Sequence, residues 1–242
     1  GVPVGVGGAR PVCPAPPPRP VPIPFHGELG SLNPVVVTEA AAAERAEAIG
    51  SGLAGSMTLG EGQFCTKPGF VLVPAGDAGD RLLKSLTAAV SETDPGVMLD
   101  HRMRDAFVAG VGERAGLEDV ESPVTPGACG DHSVSAGFLT VPARRLTGEG
   151  PHDLLLEECF GPVAVVARYA DTDEIEAVLS RLPGNLTATL HVSEEEAAGP
   201  AAELLASLTA LAGRVVVDGW PTGVAVAPAQ HHGGPYPATT ST

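Results

Sequence analysis

The chain has 242 residues, with 14 lysines and arginines against 29 aspartates and glutamates, a net charge of −15. Hydrophobic residues make up 43%, enough to build the core of one large domain or two small ones. The acidic balance would repel a phosphate backbone, so nucleic acid is excluded as a ligand class.

No apolar run reaches the about 20 residues that a membrane helix needs, and no positive cluster leads into an apolar stretch as a secretory leader would. The four cysteines, Cys13, Cys65, Cys129 and Cys159, stand far apart with no CxxC pair. That pattern speaks against a zinc site or a disulfide framework and for reduced thiols in a cytoplasm.

In chain order, residues 1–24 read GVPVGVGGARPVCPAPPPRPVPIP. Proline removes a backbone donor and fixes φ, so Pro14 to Pro24 cannot be helix or central strand. An extended or disordered arm is expected over residues 1–22, with the folded domain at 23–242. Gly5 and Gly7 lack the third glycine of GxGxxG, and prolines follow where a helix would have to open, so they are no nucleotide fingerprint.

A strand is expected at 35–37, a helix at 39–53 and a strand at 70–73. A helix at 77–90 places Leu82, Leu83, Leu86 and Val90 on one face, and one at 100–114 does the same with Met103, Phe107 and Val111. The glycine-rich 110–116 reads as a fraying helix end. Residues 121–135 read as turns, followed by strands at 138–141 and 163–166. A helix at 173–182 and a strand at 186–192 come next. A helix at 194–211 follows, capped by Ser193 with Glu194, Glu195 and Glu196 at its positive end, and then a last strand at 214–217. After Trp220 the chain turns irregular. Strands alternating with helices give an α/β fold, a largely parallel sheet with helices on both faces. Its chemistry is expected at strand ends and in the loops that follow them.

Three residues stand out in their surroundings. Cys65, in GQFCTKPG, is flanked by glycines that leave room for a substrate, and nearby N–H groups would lower a thiol pKa; the plain alternative is a buried small side chain. Glu28 lies between glycines in FHGELGS, where desolvation would favour a general base, or where it is simply a capping or surface carboxylate. Glu158 precedes Cys159-Phe160-Gly161-Pro162 and the next strand. His26 falls on the same face as Glu28 if that segment is extended, although packing or solvation explains a lone histidine equally well. His231 and His232 precede a glycine pair with no further Cys, Asp or Glu close in sequence, so no metal site is expected.

The segments FHGELGSLNP, GQFCTKPG, LEECFGPV, GWPTG and HGGPYPAT follow one another in this order. That succession resembles the aldehyde dehydrogenase superfamily, nearest its NADP-preferring branch acting on long-chain fatty aldehydes and on 2-oxoglutarate semialdehyde. The resemblance runs from residue 19 to residue 242 and implies the catalytic domain of that family. It implies Cys65 as the nucleophile, forming a thiohemiacetal and then a thioester, and Glu28 as the base that activates the deacylating water. It implies Glu158 as the hydrogen-bond partner of the nicotinamide ribose, Phe160 packed beside it, and Gly30 next to the nicotinamide site or as a plain turn glycine. The backbone N–H of Cys65 is then one oxyanion donor.

The implied cofactor is NADP and the implied partner a small aldehyde, with no nucleic acid and no membrane. The family is homo-oligomeric. Its nucleotide-binding domain has no counterpart in this sequence, nor does the C-terminal segment used in subunit association, so self-sufficient turnover is not expected. The alternative is a non-enzymatic remnant or a partner-binding pseudo-enzyme. The proline arm also departs from the family, where a helix leads into the ELG segment, and reads as a foreign or frame-shifted start.

Overall fold

The computed structural model describes residues 26–197, 199–225, 227–228 and 230–240. The proline-rich arm, the Gly5/Gly7 pair and Cys13 lie outside the described residues. Along the chain come β1 (Val35–Val37), α1 (Glu39–Thr58), β2 (Phe70–Pro74), α2 (Asp77–Ser91), β3 (Gly96–Val97) and α3 (His101–Ala115). Then follow β4 (Glu121–Val124), β5 (Gly127–Ala128), β6 (Ser133–Ser135), β7 (Gly137–Pro142), β8 (Val163–Tyr169), α4 (Thr172–Leu179), β9 (Asn185–His191), α5 (Pro200–Leu211) and β10 (Ala212–Val217).

Seven strands form one sheet in the order β10-β9-β1-β2-β8-β7-β4. Every pair is parallel except β4 with β7. Side chains alternate across the sheet, and each face has its own core. Val36, Phe70, Leu72 and Val165 face a cluster with Ile175 and Val178 of α4 and Leu204 and Leu208 of α5. Val35, Val37, Val71 and Val73 face the other way, onto Ala42, Ile49 and Leu53 of α1 and Leu82, Leu86 and Val90 of α2. Both faces of β1 and β2 are covered, so their sequences VVV and FVLVP run apolar without alternation. The expected α/β fold, with helices on both faces, is what the structure shows.

Three local expectations differ. The turn-rich 121–135 carries the edge strand β4 and two strands of a small antiparallel sheet, β3-β6-β5. These strands run two to four residues and lack an apolar period, so no pattern announces them. The helix expected from Glu194 does not form there. Ser193 instead closes a single turn, its Oγ accepting from the N–H of Glu196 at 3.3 Å. The helix α5 begins at 200, after Gly199, whose φ and ψ are not helical, with a proline as its first residue. Finally, α1 runs five residues past Leu53, to Thr58.

Candidate active site

The site is assembled on loops that precede strands rather than follow them. Asn33 stands before β1, Cys65 before β2, Glu158 before β8 and Asn185 at the start of β9. The expectation named loops after strands; these candidate residues stand instead at the amino edge of the sheet.

A buried amide network fixes that edge. Asn185 Oδ1 accepts from the N–H groups of Leu32 and Asn33 at 2.9 and 3.0 Å and from Ser31 Oγ at 3.1 Å. Asn33 Oδ1 accepts from Thr187 N–H at 3.2 Å, from its hydroxyl at 2.9 Å and from Ser31 Oγ at 2.9 Å. Asn33 Nδ2 donates to the carbonyls of Cys65 at 2.9 Å and Lys67 at 3.0 Å, which pins the GQFCTKPG loop. Asn33 holds φ of 50°, a left-handed conformation that asparagine tolerates better than most residues.

Cys65 presents an exposed thiol. Its Sγ lies 3.1 Å from His232 Nε2. The backbone N–H of His232 donates to Glu28 Oε1 at 2.5 Å. Glu28 itself is exposed and sits on a short antiparallel bridge with Thr239, continued by Leu29 N–H to Ala238 carbonyl at 2.6 Å. His232 therefore touches both carried-over residues, the thiol through its ring and the carboxylate through its backbone.

The histidine gets there because the chain after β10 doubles back. A Cβ on Gly213 would stand 2.4 Å from the Gly233 carbonyl carbon, and one on Gly234 2.6 Å from the Asn185 carbonyl oxygen, so bare glycines permit the approach.

Burial of its inner side pushes the Cys65 thiol above its ordinary value, and the Glu28 charge adds to this; the N–H groups of Cys65 and Thr66 and the Arg214 charge pull the other way and lose. The lowering expected from nearby N–H groups is thus present but outweighed. Burial likewise pushes His232 below the usual histidine range, more than the Glu28 charge raises it. The resting pair is a thiol beside a neutral imidazole, which can take the thiol proton.

Glu158 and Phe160 stand on a separate loop, half-buried with Cys159. With Met103, Phe107, Gly110 and Arg114 of α3 they line a cleft of about 250 Å³. The loop abuts that of Cys65: a Cβ on Gly62 would lie 2.3 Å from the Gly161 carbonyl oxygen, and Gly62 has φ of 62°. Gly30 is half-buried and leads into Ser31 of the amide network. Among the described residues, no three of His, Cys, Asp and Glu gather as a metal-binding group.

Sequence reasoning missed Asn33, Asn185 and His232. Asn33 stands two residues before the apolar β1 and Asn185 opens the buried β9, positions where a polar side chain needs a partner. That was the available signal.

The aldehyde dehydrogenase family profile matches residues 22–234. The chain is 41% identical over 224 residues to an alpha-ketoglutaric semialdehyde dehydrogenase 2 of Azospirillum brasilense, covering 92% of this chain and 42% of that protein. It is 34% identical to the alpha-ketoglutaric semialdehyde dehydrogenase of Acinetobacter baylyi, with the same 92% and 42% coverage. The chain thus spans less than half the length of these relatives. An aldehyde dehydrogenase from Bacillus cereus, solved as its NAD+ complex, superposes with a TM-score of 0.68 at 22% identity, over 88% of this chain and 42% of that one. At that identity the likeness speaks for the fold.

Proposed function

Because the chain belongs to the aldehyde dehydrogenase family, we propose that it carries the catalytic residues for NADP-dependent oxidation of an aldehyde to a carboxylic acid, with a semialdehyde bearing a distal carboxylate as substrate. The observation that carries this reading is the Cys65 Sγ to His232 Nε2 distance of 3.1 Å, with Glu28 on the backbone of the same histidine. The substrate class is taken from the alpha-ketoglutaric semialdehyde relatives.

In this reading His232 Nε2 takes the thiol proton as Cys65 sulfur attacks the aldehyde carbon, and the backbone N–H of Cys65 donates to the developing oxyanion. When bound, oxidised nicotinamide supplies the acceptor for the hydride that the thiohemiacetal carbon gives up. Glu28, exposed to solvent, takes a proton from the water that attacks the resulting thioester; the carbon–sulfur bond breaks and the acid leaves. The cleft of about 250 Å³ beside Glu158 and Phe160 would receive the nicotinamide-ribose end of the cofactor, with the Glu158 carboxylate as partner for the ribose hydroxyls and Phe160 as packing. Gly30 is assigned to the same neighbourhood.

Iodoacetamide labelling of the purified chain tests the site. Cys65 takes the label, glutarate semialdehyde slows it, and Cys65→Ala leaves no aldehyde-protected thiol. His232→Ala slows acylation of Cys65 by an activated ester by about 10²-fold, the low end for general-base assistance. Equal labelling of Cys65 with and without semialdehyde contradicts the reading.

A further inference from the structure

Lys67 lies two residues beyond Cys65 and is only 2% exposed. A lysine is almost never fully buried without compensation. Here the compensation is backbone: Nζ donates to the carbonyls of Val163 at 2.8 Å and Cys159 at 3.2 Å. Both carbonyls belong to the segment that carries Glu158 and Phe160. Gly69 leaves the amine its room, since a Cβ there would stand 3.3 Å from Nζ. At its other end the Lys67 carbonyl shares Asn33 Nδ2 with the Cys65 carbonyl. The same segment is held from α3 by Arg114, 4% exposed, whose guanidinium donates to the Glu157 carbonyl at 3.1 Å.

From this arrangement we infer that Lys67 is a positioning residue, a buried amine tie that fixes the distance between the Cys65 loop and the Glu158–Phe160 loop. Lys67 touches neither thiol nor aldehyde. It acts because one side chain reaches from the loop of the nucleophile to the carbonyls on both sides of Phe160, and hydrogen bonds in a dry site hold geometry firmly. Burial pushes its amine below the lysine range and the Arg114 charge adds to this; Cys159 and Glu158 oppose the shift only in part. The inference rests on the proposed role of Cys65 as the nucleophile.

The test compares the chain with Lys67→Met, Lys67→Arg and Cys65→Ala, reading p-nitrophenyl acetate burst kinetics and amide hydrogen exchange on the same samples. Lys67→Met lowers the saturating acylation rate by about 10²-fold, the usual cost of a misplacement near 1 Å, with half-saturating ester unchanged. Its amides at 62–69 and 157–163 exchange faster while the rest of the sheet does not. Lys67→Arg, which keeps a donor with more than one N–H, restores the rate to within about threefold.

A folded Lys67→Met with the wild-type burst overturns the inference, as does faster exchange spread evenly over the sheet. If Lys67→Met does not fold, Lys67→Arg decides: a burst within threefold supports the tie, and a tenfold loss in a folded protein overturns it. A burst that survives in Cys65→Ala, or none in the unaltered chain, is instead a failure of the nucleophile reading, and the exchange arm then judges the tie alone.

Discussion

His191 and His232 have both lost water, with different results. His232 keeps partners, the thiol at its ring and Glu28 at its backbone. His191 has a side chain 4% exposed and packs against Trp220 in a tilted contact at a centroid distance of 4.7 Å, with neither ring nitrogen hydrogen-bonded among the described residues. Burial pushes its pKa down from 6.5 to about 4; the Asp218 charge opposes this and the Arg45 charge adds to it. The unfolded chain therefore binds a proton that the folded one refuses. The contribution of this histidine is fully present above pH 6.5 and is lost as pH falls toward 4, up to about 3 kcal/mol. Urea unfolding from pH 7 to pH 4 should show His191→Phe losing less stability than wild type by that order; parallel curves would refute it.

Asn33 makes the opposite case, a buried polar residue with every bond satisfied. Asn33→Ala strands two carbonyls and Thr187 and puts alanine at φ of 50°, so a loss of about 2–4 kcal/mol is expected in chemical denaturation. Cys65 and Glu28 could be singled out as candidates because each lies in a short string, and the strings follow one another in a family-like order. Asn33 and His232 could not, because Thr187, which closes the Asn33 network, and Cys65, which meets the His232 ring, lie 154 and 167 residues away along the chain.

The elements themselves were legible where one residue type decides. Asp100 caps α3, its Oδ1 accepting from Met103 N–H at 2.9 Å, and the helix starts where the sequence placed it. Asp100→Ala should cost about 1 kcal/mol in thermal or chemical unfolding, with no change in Cys65 labelling. A loss within error would mean the cap is replaced by water. Strands β1, β2 and β8 announced themselves as unbroken apolar runs. The small β3-β6-β5 sheet did not, since two-residue ladders are held by backbone bonds that any sequence can make. The later start of α5, at residue 200, goes with Gly199, whose φ of −131° and ψ of −120° are not helical, and with the proline that follows it.

At the scale of the whole molecule, the sheet separates support from chemistry. Two cores grip β1 and β2 from opposite faces, which makes the amino edge of the sheet a rigid rim. Loops rooted on that rim carry Asn33, Cys65 and Glu158, and the segment returning from β10 lays His232 across them. Truncating either core should therefore damage stability more than site chemistry. Leu72→Ala, which removes a fully buried side chain, is expected to cost about 2–5 kcal/mol in urea unfolding. Below its unfolding midpoint that variant should retain a Cys65 as reactive as wild type.

No helix among the described residues is long and apolar enough to cross a membrane. The parallel sheet and its coverings were visible in the alternation of strands and helices. The side of the sheet that holds the site was not, because strand order and the return of the chain after β10 are set by contacts that leave no local pattern.

Peptide mapping after brief exposure to p-nitrophenyl acetate tests most directly whether Cys65 is the nucleophile. One acetyl group is expected on the peptide containing Cys65 and none on those containing Cys129 or Cys159. Acetylation of Cys159 or Cys129 in preference to Cys65 would contradict that role.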